Sequence, residues 1–179
     1  MVQSFNLDVL YSTLAVFDPD LEYPFNDWQA QAHNQGFSWR SGSVSFLILD
    51  DTATVQVEIE LNNQFKLLSN TIRAFRIPFS VSKTGLVEIA SPVSEPKAHL
   101  TKIPYGEYAL YFEVGYIQSE QNQNKNTMNE PKVGEEQIDS PSLWCRLTFI
   151  PCEDAQAEIL VRDPDLSPSY PLLMNAQPA

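Results

Sequence analysis

Apolar and polar residues alternate with a period of two along most of this sequence. Between Thr54 and Leu61, every odd-numbered residue is apolar and every even-numbered residue is polar. This spacing puts the two kinds of side chain on opposite faces of a β-strand, as in an antiparallel strand with one face in water. Similar or shorter strand signals occur at residues 5–17, 44–48, 75–79, 86–90, 108–116, 143–149 and 158–161. Many such strands indicate a sandwich or a closed barrel, and we predict an all-β fold, an antiparallel β-sandwich of about eight strands.

One short helix near the N-terminus interrupts this strand pattern. Asn26 can cap the free amides of a first turn, and Gln29 follows three residues later, as in a capping box. Gly36 supplies a left-handed stop. We predict a helix of about nine residues that depends on docking for its stability, with Trp28 and Ala32 facing the sheet.

The length of 179 residues fits a single domain. We predict one β-sandwich domain over residues 1–166. Within it, residues 118–142 are rich in Asn, Gln and Pro and contain few apolar side chains, which predicts a mobile polar loop. Residues 167–179 contain three prolines and are predicted to form an extended, loosely held tail.

The net charge restricts the partners of this chain. Lys and Arg number 11 against 23 Asp and Glu, which gives a net charge of −12. A surface of that sign disfavours direct binding to nucleic acid or to an anionic membrane, since both need basic residues. The sequence shows neither a secretory signal nor an apolar run of about 18 residues, so we expect a cytoplasmic protein. A basic protein partner remains compatible with the charge.

The residues give no positive case for an enzyme. The sequence contains no phosphate loop, dinucleotide fingerprint or zinc motif, so no cofactor or metal is expected. Glu58 and Glu60 share one face of a predicted strand and could imitate a glycosidase pair, or act with His33 or His99. Neighbouring carboxylates along one strand are more often simply solvated.

Negative charge is concentrated in the first third of the chain. Residues 1–65 contain nine acidic residues, and Arg40 is their only basic residue. Such a distribution is common on soluble acidic surfaces, but it also suits the attraction of a basic cleft. The candidate partner-binding residues are therefore the acids outside the first strand and two aromatic anchors, namely Asp18, Asp20, Glu22, Asp27, Asp50, Asp51, Glu58, Glu60, Tyr23 and Trp39.

An ordered series of short motifs runs through residues 26–110. It comprises residues 26–28 (Asn-Asp-Trp), 35–37 (Gln-Gly-Phe), 42–46 (Gly-Ser-Val-Ser-Phe), 77–81 (Ile-Pro-Phe-Ser-Val), 85–89 (Gly-Leu-Val-Glu-Ile) and 103–110 (Ile-Pro-Tyr-Gly-Glu-Tyr-Ala-Leu). The series resembles the competence protein J family, inhibitors of the bacterial DNA-entry nuclease. The resemblance covers about residues 10–116 and continues more weakly over 143–163.

The resemblance implies a non-catalytic protein that binds a metal-dependent nuclease and inhibits it stoichiometrically. It identifies no inhibitory residue, so the candidate residues rest on charge alone. Two other classes stay open at this point. One is a β-sandwich that binds a small ligand or a carbohydrate through an aromatic-lined pocket. The other is a hydrolase that uses Glu58 or Glu60 with His33 or His99.

Overall fold

The computed structural model describes residues 2–118 and 141–179, and it is dominated by β-strands. The predicted mobile loop therefore lies almost entirely outside the described residues. The elements are β1 (Val2–Leu10), β2 (Thr13–Phe17), α1 (Ala30–Gln35), β3 (Phe37–Arg40), β4 (Ser43–Leu47), β5 (Thr52–Leu61), β6 (Arg73–Val81), β7 (Leu86–Ala90), β8 (Leu100–Lys102), β9 (Gly106–Tyr116), β10 (Leu143–Pro151) and β11 (Glu158–Val161).

The strands form two sheets, which confirms an all-β fold. One sheet has the order β1-β5-β10-β9-β6-β11 and the other β3-β4-β2-β7-β8. The prediction of a purely antiparallel sandwich is wrong, because β5 and β10 pair in parallel, with Val55 opposite Leu143. Alternation of side chains has a period of two in both kinds of ladder, so the sequence pattern could not distinguish them.

The described residues contain eleven strands, and the excess over the predicted eight has two causes. The predicted strand at 5–17 is broken at Tyr11 and Ser12, whose φ angles are 58° and 53°. This left-handed turn sends β1 into one sheet and β2 into the other. The strands β3 and β8 span four and three residues, too few for a clear alternating pattern.

Side chains from both sheets meet in one hydrophobic core. Phe46 of β4 stacks on Phe112 of β9 with 4.3 Å between ring centroids, and Phe75 of β6 lies parallel to both rings. Each of these rings is fully buried. Close aromatic packing therefore joins the two sheets into the framework that carries the candidate surfaces.

The helix is shorter than predicted and starts later. It spans six residues, with Gln29 rather than Asn26 at the N-cap. Asn26 is buried, and its amide group donates to the carbonyl oxygens of Ser38 (2.8 Å) and Ser43 (3.2 Å), so it joins β3 and β4 instead of capping a helix. Within the described residues, no helix is long and apolar enough to cross a membrane.

The predicted helix stop at Gly36 is confirmed, with a φ of 86°. A Cβ atom at this position would lie 2.7 Å from Phe75 Cζ and about 3 Å from both methyl carbons of Leu166. At Gly42, which also has a positive φ of 77°, the nearest atom would be Leu21 Cδ1 at 3.6 Å. Gly36 thus combines a left-handed backbone with close packing, whereas Gly42 has the backbone requirement alone.

We therefore expect Gly36→Ala to destabilise the protein more than Gly42→Ala. Each substitution strains a left-handed backbone at a cost of about 1 kcal/mol, and overpacking at Gly36 adds roughly 1–3 kcal/mol. Urea unfolding of both variants measures the difference in the free energy of unfolding. Equal losses would show that the contacts with Phe75 and Leu166 relax at no cost.

The C-terminal tail is not loosely held, so that prediction is wrong. The backbone N–H of Ser167 donates to Asn34 O, and the Gln35 side chain bonds both backbone groups of Leu173. Farther along, the N–H of Ala176 donates to Trp39 O at 2.9 Å. Polar groups of the helix and β3 thus hold a segment whose composition alone indicated no partner. The division of the chain at residue 166 stays a prediction.

Candidate functional site

The ten candidate residues lie in three separate places. Five of them form the 18–27 surface (Asp18, Asp20, Glu22, Tyr23 and Asp27), between β2 and α1, and Trp39 follows nearby on β3. Asp50 and Asp51 lie in the turn between β4 and β5, and Glu58 and Glu60 lie on β5. β2 separates Asp18 from Ser12, which contacts Asp51, by about 20 Å along the strand. The acids therefore do not form one continuous patch.

The 18–27 surface begins with a turn fixed by backbone hydrogen bonds. The N–H of Asp18 donates to Gly42 O at 2.9 Å, and Asp18 Oδ1 accepts the N–H of Asp20 at 3.0 Å. Asp20 and Glu22 are exposed, and their carboxylates make no hydrogen bond or ion pair within the described residues. Tyr23 is 59% exposed. This surface presents two free carboxylates and a phenol ring on a constrained loop.

Arg40 holds the 18–27 surface in place instead of neutralising it. Its Nε donates to Asn26 Oδ1 at 2.7 Å, and its Nη2 donates to the carbonyl oxygen of Tyr23. Burial lowers the pKa of the Arg40 guanidinium. No ion pair between Arg40 and a candidate acid is present among the described residues. The only basic residue of the first third of the chain is therefore occupied by neutral oxygens.

Asp27 has a structural role that its charge did not indicate. Its Oδ1 accepts the backbone N–H of Gln177 at 2.9 Å, and its own N–H donates to Gln177 O at 2.8 Å. Its carbonyl oxygen accepts the hydroxyl of Ser38. Asp27 thus connects the C-terminal tail to β3 of the five-stranded sheet. It is therefore a weaker candidate for a partner contact than Asp20 or Glu22.

Asp50 and Asp51 lie at the end of β2 opposite to the 18–27 surface, and both accept hydrogen bonds there. Asp50 Oδ1 accepts the Tyr116 hydroxyl at 3.0 Å, and this hydrogen bond, more than burial or charge, raises the pKa of Tyr116. Asp51 Oδ1 accepts the Ser12 hydroxyl at 3.3 Å. Both acids keep oxygen atoms available to solvent, but each already has a hydrogen-bond donor within the chain.

Glu58 and Glu60 point outward from the six-stranded sheet. Burial and the neighbouring Glu60 charge raise the pKa of Glu58, while the opposing effect of Arg146 is smaller. Arg146 faces Glu58 across the β5–β10 ladder, but its Nε donates to Glu113 Oε2 at 2.7 Å. Glu113 is fully buried and also accepts the N–H of Leu68. Arg146 is therefore committed to a buried carboxylate.

The structure does not bring Glu58 or Glu60 together with a histidine. His99 stacks on Phe5 with 4.1 Å between ring centroids, and Phe5 pairs with Val57, on the opposite face of the sheet from Glu58. His33 lies in the helix against Trp28. Among residues 2–118 and 141–179, no group of three or more His, Cys, Asp or Glu could hold a metal ion. The arrangement that the hydrolase alternative requires is therefore absent from this part of the chain.

Trp39 forms the floor of a groove that the sequence did not predict. Its indole N–H donates to Pro78 O at 2.8 Å, which joins the two sheets at their β3 and β6 sides. The groove has a volume of about 550 Å³. Its other lining residues come from the lead-in to β11 and from the tail, and include Ala157, Ile159 and Tyr170. These residues are too far apart in the sequence to reveal a common surface.

Comparisons with known proteins identify one family and two solved structures with a similar fold. A family model described as competence protein J (ComJ) matches residues 6–150. ComJ from Bacillus subtilis, described as an inhibitor of the DNA degrading activity of NucA, has a similar solved structure with a TM-score of 0.57 and 18% identity, covering 84% of this chain and 99% of that one. A second structure, described as crocagin biosynthetic gene J, gives a TM-score of 0.51 and 14% identity, covering 84% and 97%. No match was found among curated protein sequences.

Proposed function

This chain belongs to the competence protein J family, and we propose that it binds a metal-dependent nuclease and inhibits it without being an enzyme itself. The similar structure of an inhibitor of the DNA degrading activity of NucA supports this role. The proposed partner is a basic protein, with no direct binding to nucleic acid or membrane. A cytoplasmic location and the lack of a cofactor are part of the proposal.

The acidic surface supplies a physical reason for inhibition. A nuclease holds DNA through Lys and Arg in its cleft, and an acidic protein can occupy the same cleft without offering a scissile bond. The three ion pairs among the described residues are Arg73–Asp163, Arg76–Glu158 and Arg146–Glu113. The candidate acids take part in none of them, so their charge remains available to a partner.

Rigidity adds to this effect. The 18–27 surface is fixed by the Asp18 turn, by the Arg40 contacts and by the bond between Asp27 and the tail. A preorganised surface loses less conformational entropy on binding than a flexible acidic segment. The single observation that carries the proposal is the family match over residues 6–150, and the fixed acidic surface explains how such a protein could act.

Titration of the nuclease encoded nearest to this chain in its own genome tests the proposal. Cleavage of a labelled DNA duplex should fall linearly with added protein and reach zero at near-equal stoichiometry, because the complex blocks the cleft. Full digestion at a several-fold excess would contradict the proposal. An unrelated acidic protein of similar net charge is the control, and it should leave the rate unchanged.

A second candidate function has one observation in its favour. Trp39 and Tyr170 line the groove, and an aromatic-lined concavity is typical of carbohydrate recognition. A bound sugar would raise the melting temperature in a ligand panel. The family match favours nuclease inhibition over this alternative.

A further inference from the structure

The groove above Trp39 is bordered on two sides by segments that carry unpaired backbone groups. One wall is the lead-in to β11, which is the edge strand of the six-stranded sheet, and the other is the tail segment 170–174. The backbone N–H and C=O groups of Ala155, Ala157, Leu172 and Met174 have no hydrogen-bond partner within the described residues. Such groups are ready to pair with another extended chain.

The floor and rim of the groove are apolar. Trp39, Ile159 and Met174 pack against the core but remain half-exposed, and Tyr170 at the rim is 71% exposed. These side chains give the groove an apolar floor with one exposed aromatic ring at its rim. Unpaired backbone groups beside an apolar floor suit a polypeptide, which supplies both amides and side chains.

The negative charge near the groove favours a basic polypeptide as its occupant. Glu153 and Asp154 are exposed shortly before the groove, and Glu158 lines it in an ion pair with Arg76. A segment seated in the groove therefore lies close to the exposed carboxylates of Glu153 and Asp154. A second copy of this acidic chain would be repelled there.

We infer that this groove binds an extended, apolar segment of the nuclease that is flanked by basic residues. The inference rests on the proposed function and extends it. The apolar side chains of the segment cover Trp39 and Tyr170, and its backbone pairs with the two walls. The groove thereby adds short-range affinity and specificity to the attraction exerted by the acids.

Two groove variants and one matched control test this inference. Tyr170→Ala removes the exposed ring at the rim, and Ala157→Tyr fills the groove without changing the charge. Tyr105→Ala is the control, because Tyr105 is 67% exposed and lies outside the groove. The dissociation constant of each variant for the nuclease is measured by calorimetry. We expect about a tenfold weakening for each groove variant and less than a twofold change for the control.

Hydrogen exchange provides a second readout. Backbone pairing predicts slower exchange of the Ala155, Ala157, Leu172 and Met174 amides in the complex. If both groove variants bind the nuclease with wild-type affinity and the amide exchange is unchanged, the groove is not the binding site. The proposed function stands in that case, provided that the wild type still inhibits stoichiometrically. A wild-type chain that fails to bind the nuclease overturns both the groove and the proposed function. The inference is also wrong if a sugar binds selectively at Trp39 and the groove variants leave the affinity for the nuclease unchanged.

Discussion

Asp163→Asn is expected to cost about 3–5 kcal/mol of unfolding free energy, because it leaves a buried guanidinium without its counter-charge. Arg73 and Asp163 are 3% and 8% exposed. The Arg73 Nε and Nη2 donate to the two carboxylate oxygens at 2.6 and 3.1 Å, and Nη1 donates to Leu47 O and Ile48 O. The pair thus fixes the segment after β11 to β6 and to the end of β4.

An exposed ion pair provides the matched control. Arg76 and Glu158 join the same two strands, but their side chains are 32% and 51% exposed. Glu158→Gln should therefore cost less than about 1 kcal/mol. Chemical unfolding of both variants measures the two losses. Similar losses for the buried and the exposed pair would contradict the structural account.

The loss at Asp163 should also depend on pH. Burial alone would raise the pKa of Asp163, but the hydrogen bond and charge of Arg73 outweigh it and lower the pKa below its usual value. The pair therefore stabilises the protein fully above the aspartate pKa of the unfolded chain, about 3.9, and the stabilisation is lost as pH falls through the lower folded value. The difference between wild type and Asp163→Asn should shrink in acid. A difference that is constant with pH would exclude this linkage.

The strand pattern was predictable because burial of one face imposes a period of two. Seven of the predicted segments coincide with single strands of the structure, among them β5 and β9. The parallel pairing of β5 with β10 was not predictable, since the partner choice depends on contacts between residues about 90 positions apart. The break at Tyr11 and Ser12 was also missed, because neither residue type normally marks a left-handed turn.

The candidate site was only partly predictable. Charge alone located the exposed carboxylates Asp20 and Glu22, since a carboxylate in a turn is normally exposed. Charge could not distinguish them from Asp27, whose oxygen atoms bind the tail. The helix was predicted too early because Asn26 has the residue type of an N-cap, yet it satisfies carbonyl groups of two strands.

Reversing two charges on the 18–27 surface is expected to slow association with the nuclease by at least tenfold at physiological salt. The substitutions are Asp20→Lys and Glu22→Lys, because these carboxylates are exposed and have no hydrogen-bond donor within the described residues. The matched control is Asp50→Lys with Asp51→Lys, at the opposite end of β2. Each double variant changes the net charge from −12 to −8, so a difference between them reports location and not total charge.

Both double variants should fold. Asp20 and Glu22 are exposed, and the hydrogen bonds that Asp50 and Asp51 lose are also exposed and cost little. The control should associate within about threefold of the wild-type rate, because its charges lie about 20 Å from the proposed contact, beyond the Debye length at physiological salt.

The association rate measured by stopped flow over a range of ionic strengths tests the role of the acidic surface most directly. We predict that the wild-type rate falls steeply as salt increases and that Asp20→Lys/Glu22→Lys is slow with a shallow salt dependence. From physiological salt upward, Asp50→Lys/Asp51→Lys should follow the wild type. Wild-type rates and salt dependence in the first variant would contradict the proposal that these carboxylates attract the nuclease.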